Sequence, residues 1–259
     1  MLKIHEITEF LEQQFPLELA YDWDNVGLQI GDQKKSVGRI MAALEATTPV
    51  IDEAIRQGVE LIITHHPFIF PGIKAINLAT PKGKNIEKLI KNDMALYTMH
   101  TNYDLASGGM NDVLAAMMKL ENVKPLCDDG LGRLGELQQA MNIDCLCDYI
   151  QHEWLKDVVS DIRTVEISGK SGAIKKVALI GGSGGDYINE AKNAGADVLV
   201  TGDIKYHTAI DAQELGLNLI DISHYAESVM EANVQQLLQA KFDNQLEVLI
   251  PSVAKNPIL

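Results

Sequence analysis

Short apolar, β-branched runs alternate with helix-forming stretches along most of the 259 residues of this chain. Such alternation favours βαβ units, in which helices connect parallel strands and cover the faces of their sheet. The predicted strands are 39–44, 59–64, 95–99, 176–180, 197–201, 218–222 and 246–250. The predicted helices are 1–14, 48–57, 81–92, 111–119, 187–194, 206–215 and 227–241. The sequence therefore predicts the α/β class with largely parallel sheets.

The alternation is interrupted between residues 121 and 172. This stretch has a glycine-rich turn at 128–132, a helix that carries two cysteines, and a predicted strand at 164–167. We therefore expect two interlinked α/β domains, with the second inserted in the first. The predicted boundaries are 1–123 plus 219–259 for the first domain and 124–218 for the second.

The charge and the cysteines bear on partners and compartment. With 22 basic and 36 acidic side chains, the formal net charge is −14, so long-range repulsion disfavours direct binding to nucleic acid. No stretch approaches the ~18 apolar residues of a membrane span, and the first residues read as an amphipathic helix rather than a signal peptide. Three cysteines cannot all pair within the chain, which favours a reducing, cytoplasmic location.

The strongest local motif is an apolar strand that ends in two adjacent histidines, His65 and His66, followed by Pro67. In parallel α/β sheets, ligands gather outside the carboxyl ends of the strands. Adjacent side chains diverge, so two histidines here suit two metal ions a few ångströms apart better than one ion. The alternative reading is a pair of histidines that only makes hydrogen bonds.

Two further motifs also follow predicted strands. His100 and Asp104 come directly after the strand 95–99, where the alternative reading is a capped turn. His224 and Glu227 follow the strand 218–222 and are three residues apart, hence neighbours on one helical face. Alone, Glu227 could simply interact favourably with a helix dipole. Together, the three motifs predict one site that binds divalent metal.

Six segments of the chain, in order, resemble signatures of the Nif-three-like family, also known as GTP cyclohydrolase type 2 homologues. The resemblance covers nearly the whole length and is similar to the short bacterial form of the family. The segments are 23–29 (WDNVGLQ), 64–67 (THHP), 100–104 (HTNYD), 181–185 (GGSGG), 201–207 (TGDIKYH) and 223–227 (SHYAE).

The resemblance implies a pair of divalent metal ions in the first predicted domain. His66 and Asp104 would bind one ion, His65 and His224 the other, and Glu227 would bridge both. It also implies a ring-shaped homohexamer. The residue types leave the metal open between zinc, iron, manganese and nickel.

Two positions depart from the family pattern. Ser223 stands where the family often has glycine, which affects backbone freedom. Glu45 stands where aspartate is usual, which lengthens that carboxylate by one methylene. Trp23 and Asp24 are expected to be structural, with the indole in the core and Asp24 capping a turn.

The leading functional hypothesis is a metal-dependent hydrolase that acts on a small phosphorylated or nucleotide substrate, with His100 as a proton shuttle. GTP ring opening is the reaction that the family description suggests. The alternative is a protein without catalytic activity that stores or delivers metal or regulates a partner. The glycine-rich segment 181–185 lacks the Lys-Ser/Thr of a P-loop, so a tight turn is favoured over a phosphate cradle.

Overall fold

The computed structural model describes residues 2–156, 158, 162–166, 172–253 and 256. The strands, numbered along the chain, are β1 (Leu2–Lys3), β2 (Gly27–Ile30), β3 (Ser36–Val37), β4 (Arg39–Ala43), β5 (Leu61–Thr64), β6 (Ala95–Thr98), β7 (Glu121–Pro125), β8 (Arg133–Met141), β9 (Arg163–Val165), β10 (Ile174–Leu179), β11 (Val198–Thr201), β12 (Asn218–Asp221) and β13 (Glu247–Leu249).

The α-helices are α1 (Ile4–Gln14), α2 (Thr48–Arg56), α3 (Pro81–Lys91), α4 (Thr101–Leu105), α5 (Met110–Met117), α6 (Ile143–Tyr149), α7 (Ile188–Asn193), α8 (Tyr206–Leu215) and α9 (Val229–Phe242). A π-helical turn, Ile150–Trp154, continues α6. Short 3-10 helices occur at Leu17–Leu19, Gly185–Tyr187, His224–Ser228 and Asp243–Gln245. None of the helices in the described residues is long and apolar enough to cross a membrane.

The chain divides into two compact units. Unit 1 comprises the described residues of Met1–Ala106 and Met230–Pro257, and unit 2 comprises those of Ser107–Val229. The second unit is therefore inserted in the sequence of the first, and the α/β class with two such units is confirmed.

Unit 1 contains a five-stranded sheet with the strand order β13-β4-β5-β6-β2. The first four strands in that order are parallel, and β2 pairs antiparallel with β6 at the edge. The central strand β5 is buried along its whole length, as expected for a strand covered on both faces. Helices α2 and α3 cover one face with Ile51 and Leu89, which pack in one cluster with Met41 and Ile62.

Unit 2 contains a six-stranded sheet with the order β7-β8-β10-β11-β12-β9. The three strands β10, β11 and β12 are parallel, while β7, β8 and β9 pair antiparallel. Its core joins Leu134, Ala178, Leu199 and Leu219 from the sheet with Ala191 from α7. Both sheets are thus parallel at their centres and antiparallel at one or both edges.

Unit 2 is longer than the predicted insertion, 124–218. Helix α5 packs against β8 and β10, which brings the start of the unit forward. Strand β12 pairs with β11 in the second sheet, so the residues that follow it stay with unit 2. As a result His224 and Glu227 lie in unit 2, although the predicted boundaries assigned them to the first domain.

The sequence prediction missed strands β1, β2, β3, β7 and β8. Strand β8 has the sequence RLGELQQAM, rich in residues that favour helices, but it pairs with β10 on one side and β7 on the other. Cross-strand pairing therefore overrides local propensity here. The strand predicted at 164–167 is present as β9, and its last predicted residue, Ile167, lies outside the described residues.

Candidate metal centre

In unit 1, two parallel strands place three histidines at the same edge of the sheet. Thr64, the last residue of β5, is paired with Thr98 of β6, and their hydroxyls hydrogen-bond at 3.0 Å. His65 and His66 follow β5, and His100 follows Met99 after β6. One ring nitrogen from each of the three histidines lies within 4.8 Å of the others. Strand register therefore produces this histidine cluster.

Each histidine of the cluster donates its Nδ1 proton to a fixed oxygen. His65 Nδ1 lies 2.9 Å from the carbonyl oxygen of Met99, and His66 Nδ1 lies 3.0 Å from Oε1 of Glu45. Because a carbonyl oxygen can only accept, the Nδ1 of His65 carries the proton. In the neutral ring the lone pair is then on Nε2, the arrangement that metal-binding histidines adopt.

Glu45 shows that its extra methylene does not prevent contact with His66. The departure from the family's aspartate therefore preserves the orienting hydrogen bond. His66 and Glu45 follow strands β5 and β4 of the same sheet.

Asp104 lies on the short helix α4 and faces His65. Its Oδ1 is 3.6 Å from His65 Nε2, and the His65 side chain is fully buried. A neutral imidazole would turn its Nε2 lone pair toward an anionic oxygen, and these two groups repel unless a cation or a proton is placed with them. A proton would create a charged imidazolium in a fully buried position, whereas a divalent cation satisfies both acceptors.

His100 pairs with Asp24, a residue to which the sequence assigned only a structural role. His100 Nδ1 lies 2.9 and 3.0 Å from the two carboxylate oxygens of Asp24, whose side chain has no exposed surface. Burial alone would raise the pKa of Asp24, but hydrogen bonds from His100 and Thr101 outweigh it and lower the pKa to about 2. Asp24 is therefore ionised and holds the proton of His100 on Nδ1.

In the sequence, the one indication that Asp24 matters is its place in the segment 23–29, which resembles a family signature. Its distance of 76 residues from His100 hid the pairing from any local pattern. Trp23, expected in the core, is instead 58% exposed. The prediction that its indole lies in the core was therefore wrong.

In unit 2, His224 and Glu227 lie on the 3-10 helix that follows β12. Side chains three residues apart eclipse on a 3-10 helix, and His224 Nε2 is 3.1 Å from Oε2 of Glu227. His224 Nδ1 is 2.7 Å from Oδ2 of Asp203, so a carboxylate orients this ring as well. The sequence placed Asp203 in a family segment but gave it no contact with His224.

The glycine-rich segment 181–185 provides space for the Glu227 carboxylate. Gly182 has φ +63°, and a Cβ there would come within 2.5 Å of Glu227 Oε1. The backbone oxygen of Gly182 accepts a hydrogen bond from Gly202 N at 2.7 Å, which fixes the turn. This geometry gives the segment a steric reason for glycine that needs no phosphate.

The helix that carries His224 begins at a residue with unusual backbone angles. Ser223 has φ +65° and ψ 147°, a region that glycine adopts far more readily than other residues. Glycine, the residue that the resemblance leads us to expect at position 223, would adopt these angles without strain. The serine hydroxyl accepts a hydrogen bond from Tyr225 N at 3.3 Å, which offsets little of the strain.

The structure therefore gathers the predicted site residues into two groups. His65, His66, His100 and Asp104 lie together in unit 1, and His224 lies beside Glu227 in unit 2. Mixed imidazole and carboxylate donors of this kind fit a divalent transition metal better than calcium or magnesium, which prefer oxygen ligands alone. The residue types and their orienting hydrogen bonds are thus compatible with metal binding.

A family profile for Duf34/NIF3 (NGG1p interacting factor 3) matches residues 2–257. This chain belongs to that family. Among curated relatives, a GTP cyclohydrolase 1 type 2 homolog from Clostridium perfringens is 35% identical over 99% of this chain and 98% of its own length. Another protein of that name, from Clostridium acetobutylicum, is 36% identical over 86% of this chain and 84% of its own length.

Solved structures of family members agree with the fold. A Bacillus cereus protein related to NIF3 superposes with a TM-score of 0.93 at 31% identity, covering 100% of this chain and 99% of that one. Reduced HcgD from Methanocaldococcus jannaschii superposes with a TM-score of 0.85 at 32% identity, covering 97% and 98%. The family membership confirms the resemblance drawn from the six sequence segments.

Proposed function

We propose that this chain is a divalent-metal-dependent hydrolase of the Duf34/NIF3 family. The proposed ligands are His65, His66, Asp104, His224 and Glu227. His66 and Asp104 would hold one ion, His65 and His224 the second, and Glu227 would bridge the two. The assignment of ligands to ions follows the family resemblance.

The observation that carries the proposal is the orientation of the three ligand histidines, which is set by a hydrogen bond at Nδ1 in each. His65, His66 and His224 each direct Nδ1 at a fixed oxygen, so each presents Nε2 for coordination. In His65 and His224 that Nε2 faces a carboxylate oxygen, at 3.6 and 3.1 Å respectively. An Nε2 lone pair that faces a carboxylate oxygen favours a bound cation at that place.

The catalytic residue proposed beside the ions is His100. Two bound divalent ions would supply Lewis-acid chemistry and lower the pKa of a bound water. With its Nδ1 proton held by ionised Asp24, His100 can accept a proton at Nε2 and return it to the leaving group. Asp24 stabilises the imidazolium formed in between and stays ionised itself.

A small phosphorylated compound or a nucleotide is the proposed substrate class. The curated relatives carry the name GTP cyclohydrolase 1 type 2 homolog, which makes GTP one compound to assay. The net charge of −14 disfavours a nucleic-acid substrate. A homohexameric ring in the cytoplasm, implied by the resemblance, completes the proposal, and native mass spectrometry tests the ring.

The test measures hydrolysis of GTP, AMP and p-nitrophenyl phosphate by metal-loaded protein. We expect turnover that disappears in Glu227→Ala and falls by about 100-fold or more in His100→Asn, while metal content survives in the latter. His152→Ala, at an exposed position of unit 2, is the matched control and keeps full activity. Bound metal with no turnover above Glu227→Ala would contradict the hydrolase and favour storage or delivery of metal.

A further inference from the structure

Beside the histidine cluster of unit 1 lies a solvent-facing group of aromatic rings that the proposed chemistry does not use. Trp23 is 58% exposed and Phe70 is 48% exposed. The centroid of the Trp23 ring lies 5.7 Å from that of Tyr21, with 25° between the planes, and 5.9 Å from that of Phe70 at 68°. The same indole lies 6.0 Å from the His100 ring. We refer to Tyr21, Trp23 and Phe70 as the aromatic platform.

Hydrogen bonds on both sides of Trp23 hold the platform in place. On one side, Tyr21 N donates to the Thr101 hydroxyl, which itself donates to the buried carboxylate of Asp24. On the other side, Asn25 Nδ2 donates to the carbonyl oxygen of Ile69 at 2.7 Å, directly before Phe70.

Gln29 completes the connection between the two aromatic segments. Its Oε1 accepts from Ile69 N at 2.7 Å, and its Nε2 donates to Asn25 O at 2.6 Å. Tyr21 and Asp24 are thus bonded to Thr101, and Asn25 is bonded to Ile69. A large apolar side chain that stays exposed while its backbone is fixed in this way is preorganised for contact with a ligand.

The exposed aromatic rings of the platform favour a flat ligand. Tyr21 is stacked on the indole of Trp23, with 25° between the ring planes, and 58% of the Trp23 side chain stays exposed to a ligand. A ring that contacts the exposed part of Trp23 would lie near His100, because the indole and imidazole centroids are 6.0 Å apart. Stacking on tryptophan is tolerant of ring identity since every nucleobase has a π-face.

We propose that the aromatic platform binds the planar heteroaromatic ring of the substrate, in the manner of a nucleobase, and presents its reacting group to His100. This inference rests on the proposed hydrolase function, because it assigns a substrate class to the same site. It narrows that class from small phosphorylated compounds in general to those that carry a ring. Trp23 is then a residue that determines specificity.

The test uses the intrinsic fluorescence of Trp23. The chain has two tryptophans, and the other, Trp154, is buried at 6% exposure with no hydrogen bond from its Nε1 within the described residues. Trp154→Phe therefore leaves Trp23 as the only reporter without removing a described hydrogen bond. AMP and GMP are the probes, and ribose 5-phosphate is the matched control without a ring.

We expect AMP and GMP to quench Trp23 fluorescence with saturation and ribose 5-phosphate to leave it unchanged. By calorimetry on protein that retains Trp154, Trp23→Ala weakens AMP binding by about tenfold or more, and Trp23→Phe weakens it less. Equal affinity for AMP and ribose 5-phosphate, or no effect of Trp23→Ala, would overturn the proposal. So would a Trp23→Ala variant that changes the oligomeric state but not AMP binding.

The two proposals fail in different ways. Binding is measured with and without added divalent metal, and bound metal is quantified separately. Ring-dependent binding in a protein that holds no metal would support the aromatic platform and contradict the proposed hydrolase function. Metal binding and turnover without ring-dependent binding would support the hydrolase function and contradict the proposed role of the aromatic platform.

Discussion

In unit 1 the donor histidines follow directly from two paired strands, whereas in unit 2 His224 and Glu227 lie on a short 3-10 helix that begins at a residue with positive φ. His65 is fully buried and bonded to a backbone carbonyl. The His224 side chain is 38% exposed and is oriented by a carboxylate that is 47% exposed, Asp203.

This difference separates two ways of placing metal-binding side chains. A strand end inherits its position from the sheet, so a donor there is fixed by the same hydrogen bonds that form the core. A turn must be held by local backbone geometry, and unit 2 uses left-handed residues at Gly182, Asp203 and Ser223 to do so. Substitutions in the turns of unit 2 should therefore readily displace its donor side chains. In unit 1, substitutions outside the histidine cluster should displace the donors less.

The largest effect is expected from Gly182→Ala. A left-handed φ costs an L-residue about 1–2 kcal/mol, and the new Cβ would also displace the buried Glu227 carboxylate, for a total loss of about 3 kcal/mol in the free energy of unfolding. Gly108→Ala is the matched control in the same unit, because Gly108 has φ +75° and no atom within 4 Å of the added Cβ.

Urea unfolding monitored by circular dichroism measures both variants. The control should lose about 1 kcal/mol, and only Gly182→Ala should also weaken metal binding, by about tenfold or more. Equal losses in the two variants, with metal binding intact in both, would show that the glycine segment does not position Glu227.

A somewhat smaller effect is expected in unit 1 from Glu53→Gln. The buried Glu53 carboxylate accepts hydrogen bonds from the backbone and hydroxyl of Ser252 and from Val253 N, which joins α2 to the end of the chain. The side-chain hydrogen bond of Ser252 is the main reason that the pKa of Glu53 lies below its usual 4.5, although burial opposes it.

A depressed pKa means that the stabilisation by Glu53 is fully present above about pH 4.5 and is lost as the pH falls through the lower, folded-state value. We expect Glu53→Gln to lose about 2 kcal/mol at pH 7, and the gap to wild type to shrink toward pH 3. The exposed Glu9→Gln is the control. A gap that stays constant between pH 7 and pH 3 in urea titrations would contradict the assignment.

The smallest expected change is a gain in stability. Ser223→Gly removes the strain at φ +65° and should raise the free energy of unfolding by about 1 kcal/mol. Ser228→Gly, at the other end of the same 3-10 helix, should lower it by about 1 kcal/mol since that residue needs no left-handed conformation. If both substitutions are destabilising, Ser223 is not strained. Local backbone geometry would then not distinguish the donors of unit 2 from those of unit 1.

The sequence predicted the features that depend on local pattern. The apolar run before His65 and His66 predicted the central strand, and the carboxyl-end position of the histidines followed from the α/β class. Strand β8 was missed because its residues favour helix and only pairing with β10 makes it a strand. Pairing of this kind is invisible in a single sequence.

The same limit applies to the candidate site. The orienting carboxylates Asp24 and Asp203 lie 76 and 21 residues from the histidines that they contact, so no spacing rule connects them. The exposure of Trp23 was missed for a related reason. An indole is usually buried, and the contacts that surround Trp23 come from residues far along the chain, Phe70 and His100.

The most direct test of the central claim is the metal stoichiometry of single-donor variants. Inductively coupled plasma mass spectrometry on wild type, His65→Ala, His224→Ala and the exposed control His152→Ala compares one donor from each unit. The account predicts two divalent ions per chain in wild type and in His152→Ala, and fewer in both donor variants. A wild-type chain that holds no divalent ion, or a His224→Ala variant that keeps both, would contradict the proposed set of ligands.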